Sequence, residues 1–357
     1  MMEGRLDAIT GAEHIVAPPA QHPVAVVQPL PGIGDMVWHL PHIRAIAAYA
    51  GGAVTVIAKP RSLADQLLVD DPAVAGILWI DLNPKGRRGA HDGIPGFLRL
   101  VRELRARRFG TLIMLHHSDT IAAAARLAGI ADRRGYGFGV QRLFLNHGPF
   151  LPREVAGLHQ HTRATRYLQA AGIPLASEEP QLSVPAAVRA EARCRLGDIP
   201  IPFVAVGIAS SEAIKQWGPI RFAELAGALL DHGWRMIVLI GGREESPSAA
   251  QIMDSLGERA RHVRLALGWH LRDVQGLLAE AAFYVGNDTG VMNMAAAIGK
   301  RTYALFGTTP PFHHASQIVA ICSPDTGVRD GMDRLTLDAV LETIVADRGS
   351  LAPPPES

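Results

Sequence analysis

The stretch that decides the fold is residues 24–46, "VAVVQPLPGIGDMVWHLPHIRAI". A run of small and β-branched apolar residues leads into a turn with two glycines, Gly32 and Gly34, and then into apolar residues at helical spacing. This order predicts a buried strand, a tight turn and a helix that starts near Met36. The turn carries one acid, Asp35, which would either cap the helix or be presented to a ligand. The stretch by itself leaves both interpretations open.

The same turn partly matches the glycine pattern of dinucleotide-binding proteins. Val37 stands at the third glycine position, and the next apolar run, "AVTVIAK", ends in Lys59 where an acid usually holds the ribose of NAD. Lys59 and Arg61 would instead suit the 2′-phosphate of NADP. An NADP-dependent oxidoreductase is therefore one alternative.

Outward from this stretch, eight further apolar runs alternate with amphipathic segments such as "GFLRLVRELRARR" and "IRFAELAGALLDHG". Such alternation predicts an α/β protein with parallel sheets and helices on both faces. The series is interrupted by a proline-rich segment at residues 174–202. We expect a flexible arm over residues 1–22, two facing Rossmann-like lobes over residues 23–184 and 185–345, and a tail over residues 346–357. Ligands of such sheets bind beyond the carboxyl ends of the strands, so the lobes should share a cleft.

Composition narrows the possible functions. The 357 residues are 48% hydrophobic and 19% charged with a net charge of +1, which is typical of a globular protein and gives no reason to expect a nucleic-acid partner. The two cysteines form no C-x-x-C pair and the 15 histidines no H-E-x-x-H motif, so we expect no metal site. No apolar run approaches the roughly 20 residues of a membrane span, and the start lacks a signal-peptide pattern. We expect a cytoplasmic protein.

Two motifs of the second half are suited to phosphate. Ser210, Ser211 and Lys215 follow the strand "PFVAVG", and hydroxyls with an ammonium group are suitable ligands for phosphate oxygens. Asn287, Asp288, Thr289 and Gly290 lie between a strand that ends at Val285 and a helix of small residues, whose free amides also favour an anion. Asp288 would either cap that helix or hold a neighbouring loop or a ligand hydroxyl.

Three weaker signals complete the candidates. Glu244 or Glu245 follows a double glycine and is available to a ribose diol. Arginines are concentrated in residues 85–108, which is either an exposed helix face or a surface that attracts an anionic acceptor or acidic lipid headgroups. His39 lies one helical turn after Asp35 and would orient its carboxylate or face outward.

Together these residues resemble glycosyltransferase family 9, the heptosyltransferase family of lipopolysaccharide core assembly. The resemblance covers roughly residues 24–345 and rests on "GIGDMVWHLPHIRAI", "SSEAIKQWGPIRFAELAGALL", "LIGGREE" and "VGNDTGVMNMAAAIGKRTYALFGTTPP". It implies a GT-B fold, with an acceptor-binding amino-terminal lobe and a carboxy-terminal lobe for a nucleotide sugar. It also implies inversion at the anomeric centre, no cofactor and no metal.

The resemblance assigns roles to individual residues. Asp35 would be the general base. We also expect Gly34, His39 and Arg88 to bind the acceptor. The donor would bind Ser210, Ser211, Lys215, Glu245, Asp288, Thr289, Gly290 and Asn293. The expected partners are a nucleotide-sugar donor such as ADP-heptose and an anionic glycan or glycolipid acceptor, with peripheral contact to the inner face of the cytoplasmic membrane.

Two positions depart from the family pattern. Asn293 stands where D-[ST]-G-x-x-H has histidine, and "KQWGP" replaces K-R-W-P, so that Gln216 takes the place of a basic residue. Both changes lower the positive charge near the expected leaving group. They motivate a second alternative, a protein that binds a nucleotide sugar without turnover.

Overall fold

The computed structural model describes residues 22–83, 87–210, 212–307, 309–311, 314–324 and 330–347. The predicted arm, apart from His22, and the tail from residue 348 onward therefore lie outside the described residues. The boundary expected at residues 184 and 185 stays a prediction.

The first half folds around a five-stranded sheet in which every strand is parallel to its neighbours. Its strands are β1 (Val24–Gln28), β2 (Val54–Ala58), β3 (Val74–Trp79), β4 (Thr111–Met114) and β5 (Asp132–Gly135), in the order β3-β2-β1-β4-β5. Its helices are α1 (Ile33–Ala50), α2 (Ala64–Leu67), α3 (Gly93–Ala106), α4 (Asp119–Leu127) and α5 (Gln160–Ala170). The five residues of β1 are all buried, as expected of the central strand of a sheet covered on both faces.

The second half holds a six-stranded parallel sheet. Its strands are β6 (Phe203–Gly207), β7 (Ile237–Gly241), β8 (Val263–Leu267), β9 (Ala281–Asn287), β10 (Arg301–Phe306) and β11 (Ile318–Cys322), in the order β11-β10-β9-β6-β7-β8. Its helices are α6 (Ala186–Leu196), α7 (Pro219–Asp231), α8 (Ser246–Leu256), α9 (Leu271–Glu280), α10 (Gly290–Ala297) and α11 (Leu337–Ala346). Both sheets thus have the doubly wound order, with switch points between β1 and β4 and between β6 and β9.

The predicted α/β architecture with two parallel sheets is confirmed. All nine apolar runs form strands, and β5 and β11 are additional. The first helix begins at Ile33 instead of near Met36, because the turn ends at Gly32. Asp35 therefore lies inside the first turn of α1.

The lobes meet where α1 packs against α10. A Cβ atom built on Gly290 would lie 2.5 Å from Ile33 Cβ, so this close approach requires glycine. A second contact joins α2 to α9, where Gln66 Oε1 accepts a hydrogen bond from the Leu271 amide at 3.0 Å. Every helix in the described part of the chain is too short or too polar to cross a bilayer.

Candidate active site

A cleft of about 930 Å³ lies between the two lobes. Its walls are formed by the segments that follow β1 and β2 on one side and β6, β7, β8 and β9 on the other. Both switch points therefore open into the same space, and its size is within the range of small-molecule sites. The cleft brings together, from opposite lobes, Asp35 and the predicted phosphate-binding residues Ser210, Lys215, Asp288, Thr289 and Gly290.

Asp35 is half-buried in the first turn of α1 and lines the cleft. Its Oδ2 accepts a hydrogen bond from the Gly32 amide at 3.0 Å, so the carboxylate also closes the start of its own helix. Burial raises the pKa of Asp35 above its ordinary value, while the Gly32 amide and the charge of Lys215 act in the opposite direction. The two interpretations of Asp35 are therefore compatible: one oxygen caps the turn, and the group still faces the cleft.

Lys215 faces Asp35 from the other lobe within electrostatic reach. Its Nζ lies 3.0 Å from Asp288 Oδ2 and 3.3 Å from Glu212 Oε1. Desolvation lowers the pKa of Lys215, but the two carboxylates outweigh it, so the net shift is upward and the ammonium group stays charged. A cation held in this way is suited to a leaving group that becomes negative.

Asp288 holds the loops around that cation. Its Oδ2 accepts hydrogen bonds from Lys215 and from Thr309 Oγ1, each at 3.0 Å. Thr289 caps α10, since its Oγ1 accepts from the Met292 amide at 3.4 Å. Gly290 begins the helix, and the amino-terminal end of α10 is part of the cleft wall. This geometry favours the interpretation in which Asp288 fixes a neighbouring loop.

The remaining donor candidates lie at the same edge of the second sheet. Ser210 bonds its own turn, donating to the Glu212 carbonyl at 3.0 Å. Ser211 lies outside the described residues. Glu245 is 7% exposed and its Oε2 accepts from the Gly242 amide at 2.7 Å, whereas Glu244 is exposed in the same cleft. Glu244 is thus the acid of this pair that is more accessible to a ligand.

Asn293 joins the lobes. Its Oδ1 accepts from Trp38 Nε1 in α1 and from His314 Nε2, both at 2.8 Å, and its Nδ2 donates to the Thr289 carbonyl at 2.9 Å. Gly34 packs against the same amide, because a Cβ there would lie 2.8 Å from Asn293 Nδ2. Both residues border the cleft, and both contribute to the contact between α1 and α10.

The acceptor-side predictions need one correction. The side chain of His39 is fully buried, with Nδ1 lying 2.7 Å from the Asp35 carbonyl oxygen and 3.3 Å from Gln28 Nε2. A side chain without exposed surface cannot touch an acceptor, and His39 supports the backbone of Asp35 instead of its carboxylate. Arg88 is exposed and lines a different hollow of about 840 Å³, beyond β3 and β4 of the same lobe.

Sequence reasoning missed parts of the cleft. Trp269 follows β8 and stacks under the Arg195 guanidinium, whose Cζ lies 4.1 Å from the ring centroid. An aromatic residue directly after a strand was a usable signal in "HVRLALGWH". Arg61, considered only for a 2′-phosphate, also lines the cleft, and Lys59 bonds Asn83 Oδ1 at 3.3 Å. The described residues contain no group of three potential metal ligands.

The two doubly wound lobes and their shared cleft define a GT-B protein. The solved structure of ADP-heptose lipopolysaccharide heptosyltransferase II from Escherichia coli matches with a TM-score of 0.73, over 91% of this chain and 98% of that chain, at 23% identity. The Escherichia coli heptosyltransferase WaaC with ADP-2-deoxy-2-fluoro heptose matches with a TM-score of 0.69, over 91% and 99%, at 21% identity.

Within this class, residues 97–327 match the model of glycosyltransferase family 9 (heptosyltransferase), and the chain belongs to that family. Lipooligosaccharide heptosyltransferase 2 of Haemophilus influenzae is 29% identical over 226 residues, which are 60% of this chain and 64% of the relative. Lipopolysaccharide heptosyltransferase 2 of Escherichia coli is 26% identical over 253 residues, 65% of this chain and 71% of the relative. The chain therefore spans slightly less than two thirds of the first relative.

Proposed function

We propose that the protein is an inverting, metal-independent glycosyltransferase that moves a sugar, with ADP-heptose as the expected donor, to a lipopolysaccharide core or related glycan. The observation that carries this proposal is Asp35 on one lobe facing the Lys215 and Asp288 pair on the other across one cleft. Family membership and the relatives named as heptosyltransferases support the donor class. We further propose that it works at the inner face of the cytoplasmic membrane.

The chemistry follows from the positions of the charges. An acceptor hydroxyl attacks the anomeric carbon from the side of the first lobe, and Asp35 takes its proton. The bond from that carbon to the diphosphate oxygen breaks, and its electron pair leaves with the nucleoside diphosphate. Lys215 and the amino-terminal end of α10 stabilise the negative charge that develops there. One displacement on the face opposite the leaving group inverts the anomeric centre.

The rest of the cleft suits the nucleotide. Trp269, Leu271 and Val274 offer an apolar wall next to the Gly241 and Gly242 turn, where the backbone allows close approach. Glu244, which is exposed in the same cleft, would accept hydrogen bonds from ribose hydroxyls. We assign the acceptor to the side of the cleft lined by Gly34 and Arg61, with Arg88 in the neighbouring hollow.

Replacing Asp35 with asparagine tests the central role, because the amide keeps the shape of the side chain but cannot take a proton. We expect turnover to fall by about 10²- to 10⁴-fold, while ADP binding measured by calorimetry changes little. In the unchanged protein kcat/KM should fall as the pH drops through the raised pKa of Asp35, above the ordinary value of 3.8.

The assay is release of nucleoside diphosphate from ADP-heptose that depends on acceptor, with and without EDTA. Wild-type release should persist in EDTA, whereas loss on chelation would contradict the metal-independent mechanism. Full activity of Asp35→Asn would show that Asp35 is not the general base. Donor binding without any release, across acceptors, would favour the binding protein without turnover.

A further inference from the structure

One face of α3 is exposed and apolar at one end. Ile94 is 78% exposed and Leu98 is 51% exposed, and Arg102 and Arg105 continue the same face at spacings of four and three residues. Buried residues of α3, such as Leu100 and Leu104, lie on the opposite side. An amphipathic helix normally shows a polar face to solvent, so exposed isoleucine and leucine at this spacing require an explanation.

The exposed apolar surface continues onto the neighbouring elements. Leu127, at the end of α4, is 54% exposed and lines one groove together with Ile94 and Leu98. Arg126 then donates to the carbonyl of Leu143, which is 69% exposed, at 3.1 Å. Residues 139–143 form a short 3-10 helix, in which side chains three apart share a face. Val140, 52% exposed, therefore lies beside Leu143.

We call this surface the α3–α4 patch: Ile94, Leu98, Leu127, Val140 and Leu143, with arginines between them. Those arginines are Arg102, Arg105, Arg126 and Arg142, all exposed. The described residues that line the groove between α3 and α4 include no acid. The acid of α3, Glu103, points to the opposite side of the helix from Ile94 and bonds His91 Nε2 at 3.1 Å. Asp119, at the other end of α4, bonds His117 Nε2 at the same distance.

From this arrangement we propose that the α3–α4 patch binds the surface of an anionic bilayer. Its leucines and isoleucine would enter the boundary between headgroups and acyl chains, while the arginines pair with lipid phosphates. A second copy of the chain fits the patch less well, because a symmetric pairing would bring the same arginines face to face. The inference rests on the proposed function in one respect: the lobe that carries Asp35 would be held at the membrane that contains a glycolipid acceptor.

Vesicle co-sedimentation tests the proposal with the full chain and no nucleotide sugar. We expect the protein to sediment with vesicles of phosphatidylglycerol and phosphatidylethanolamine and to stay in solution with pure phosphatidylcholine. High salt should weaken the binding, because it screens the arginines. Arg102→Gln should weaken binding roughly five-fold, the effect of one basic residue near an anionic surface. Leu98→Ser combined with Leu127→Ser should abolish most of it.

The matched control is Ile220→Ser with Arg235→Gln on the second lobe, where both residues are exposed. It should bind vesicles like the wild type, and all variants should keep the wild-type melting temperature. Equal binding to neutral vesicles, or unchanged binding by the patch variants, would overturn the proposal. So would a doubling of mass without lipid that Leu98→Ser and Leu127→Ser remove, since the patch would then mediate self-association.

Each of the two proposals can be refuted without refuting the other. Turnover on a soluble acceptor without lipid should be the same for the patch variants and the wild type. Vesicle binding with no turnover on any acceptor would refute only the transferase. Turnover without preference for anionic vesicles would refute only the membrane patch.

Discussion

Replacing Gly290 with alanine should force α1 and α10 apart. The added Cβ would lie 2.5 Å from Ile33 Cβ and 3.0 Å from the Gly34 backbone nitrogen. Neither atom can move by rotation of a side chain. Because non-bonded carbon atoms pack at about 3.5–4.0 Å, relief requires the two helices to separate by roughly 1 Å.

That separation has two measurable costs. Overpacking of this kind costs about 1–3 kcal/mol, and at about 2–4 °C per kcal/mol for a lobe of this size the melting temperature should fall by roughly 2–12 °C. The same shift moves Asp35 away from Lys215, and a 1 Å misplacement at reacting groups costs about 10²-fold in rate. Calorimetry and initial rates of ADP release measure the two effects.

Gly76→Ala is the matched control, since its Cβ would meet no atom within 4 Å. The pair Ile33→Gly and Gly290→Ala removes the shortest contact and should recover part of both losses. If Gly290→Ala lowered activity by disturbing a direct contact with the donor, the change at Ile33 would not restore activity. If Gly290→Ala melts and turns over like Gly76→Ala, the packing argument is refuted.

Two further predictions concern charge. Lys215→Gln should weaken ADP binding in calorimetry and shift the acid limb of kcat/KM to higher pH, because the Lys215 charge lowers the pKa of Asp35; an unmoved limb would contradict their coupling. Burial lowers the pKa of His39 to about 3, so below pH 6.5 the unfolded chain binds a proton that the folded chain cannot. The free energy of unfolding should therefore decrease as the pH is lowered. In His39→Asn the decrease between pH 7 and pH 5 should be smaller by about 2 kcal/mol, as measured by urea denaturation at both pH values. An unchanged difference would show that His39 does not titrate as its burial requires.

Much of the fold could be predicted because buried parallel strands consist of continuous runs of apolar residues. β5 could not, since "DRRG" contains no large apolar residue and its strand lies at the sheet edge. β11 could have been, because "IVAIC" has the same pattern as the other strands. A continuous apolar run therefore does not identify an edge strand that is defined by its pairing and not by its burial.

Residues that line the cleft could be predicted where polar groups lie in the segments that follow strands, as with Asp35, Lys215 and Asp288. The contacts that these side chains make in the folded protein could not be predicted. His39 lies one helical turn after Asp35 and is nevertheless fully buried, and the sequence does not show how far along α1 the cleft extends. The choice between Glu244 and Glu245 depends on which carboxylate bonds the Gly242 amide, and adjacent identical residues give no signal for that.

Asn293 shows how a departure from the family pattern can follow from packing. Two donors, Trp38 Nε1 and His314 Nε2, converge on its single Oδ1, while its Nδ2 donates to the Thr289 carbonyl. An amide supplies this combination, because its oxygen has two lone pairs and its nitrogen two hydrogens, whereas a neutral imidazole has one acceptor and one donor. A neutral histidine at this position could accept from only one of these two donors. The asparagine therefore belongs with Trp38 and His314 as one unit, and the contact between α1 and α10 that it stabilises is the contact that sets Asp35 opposite Lys215.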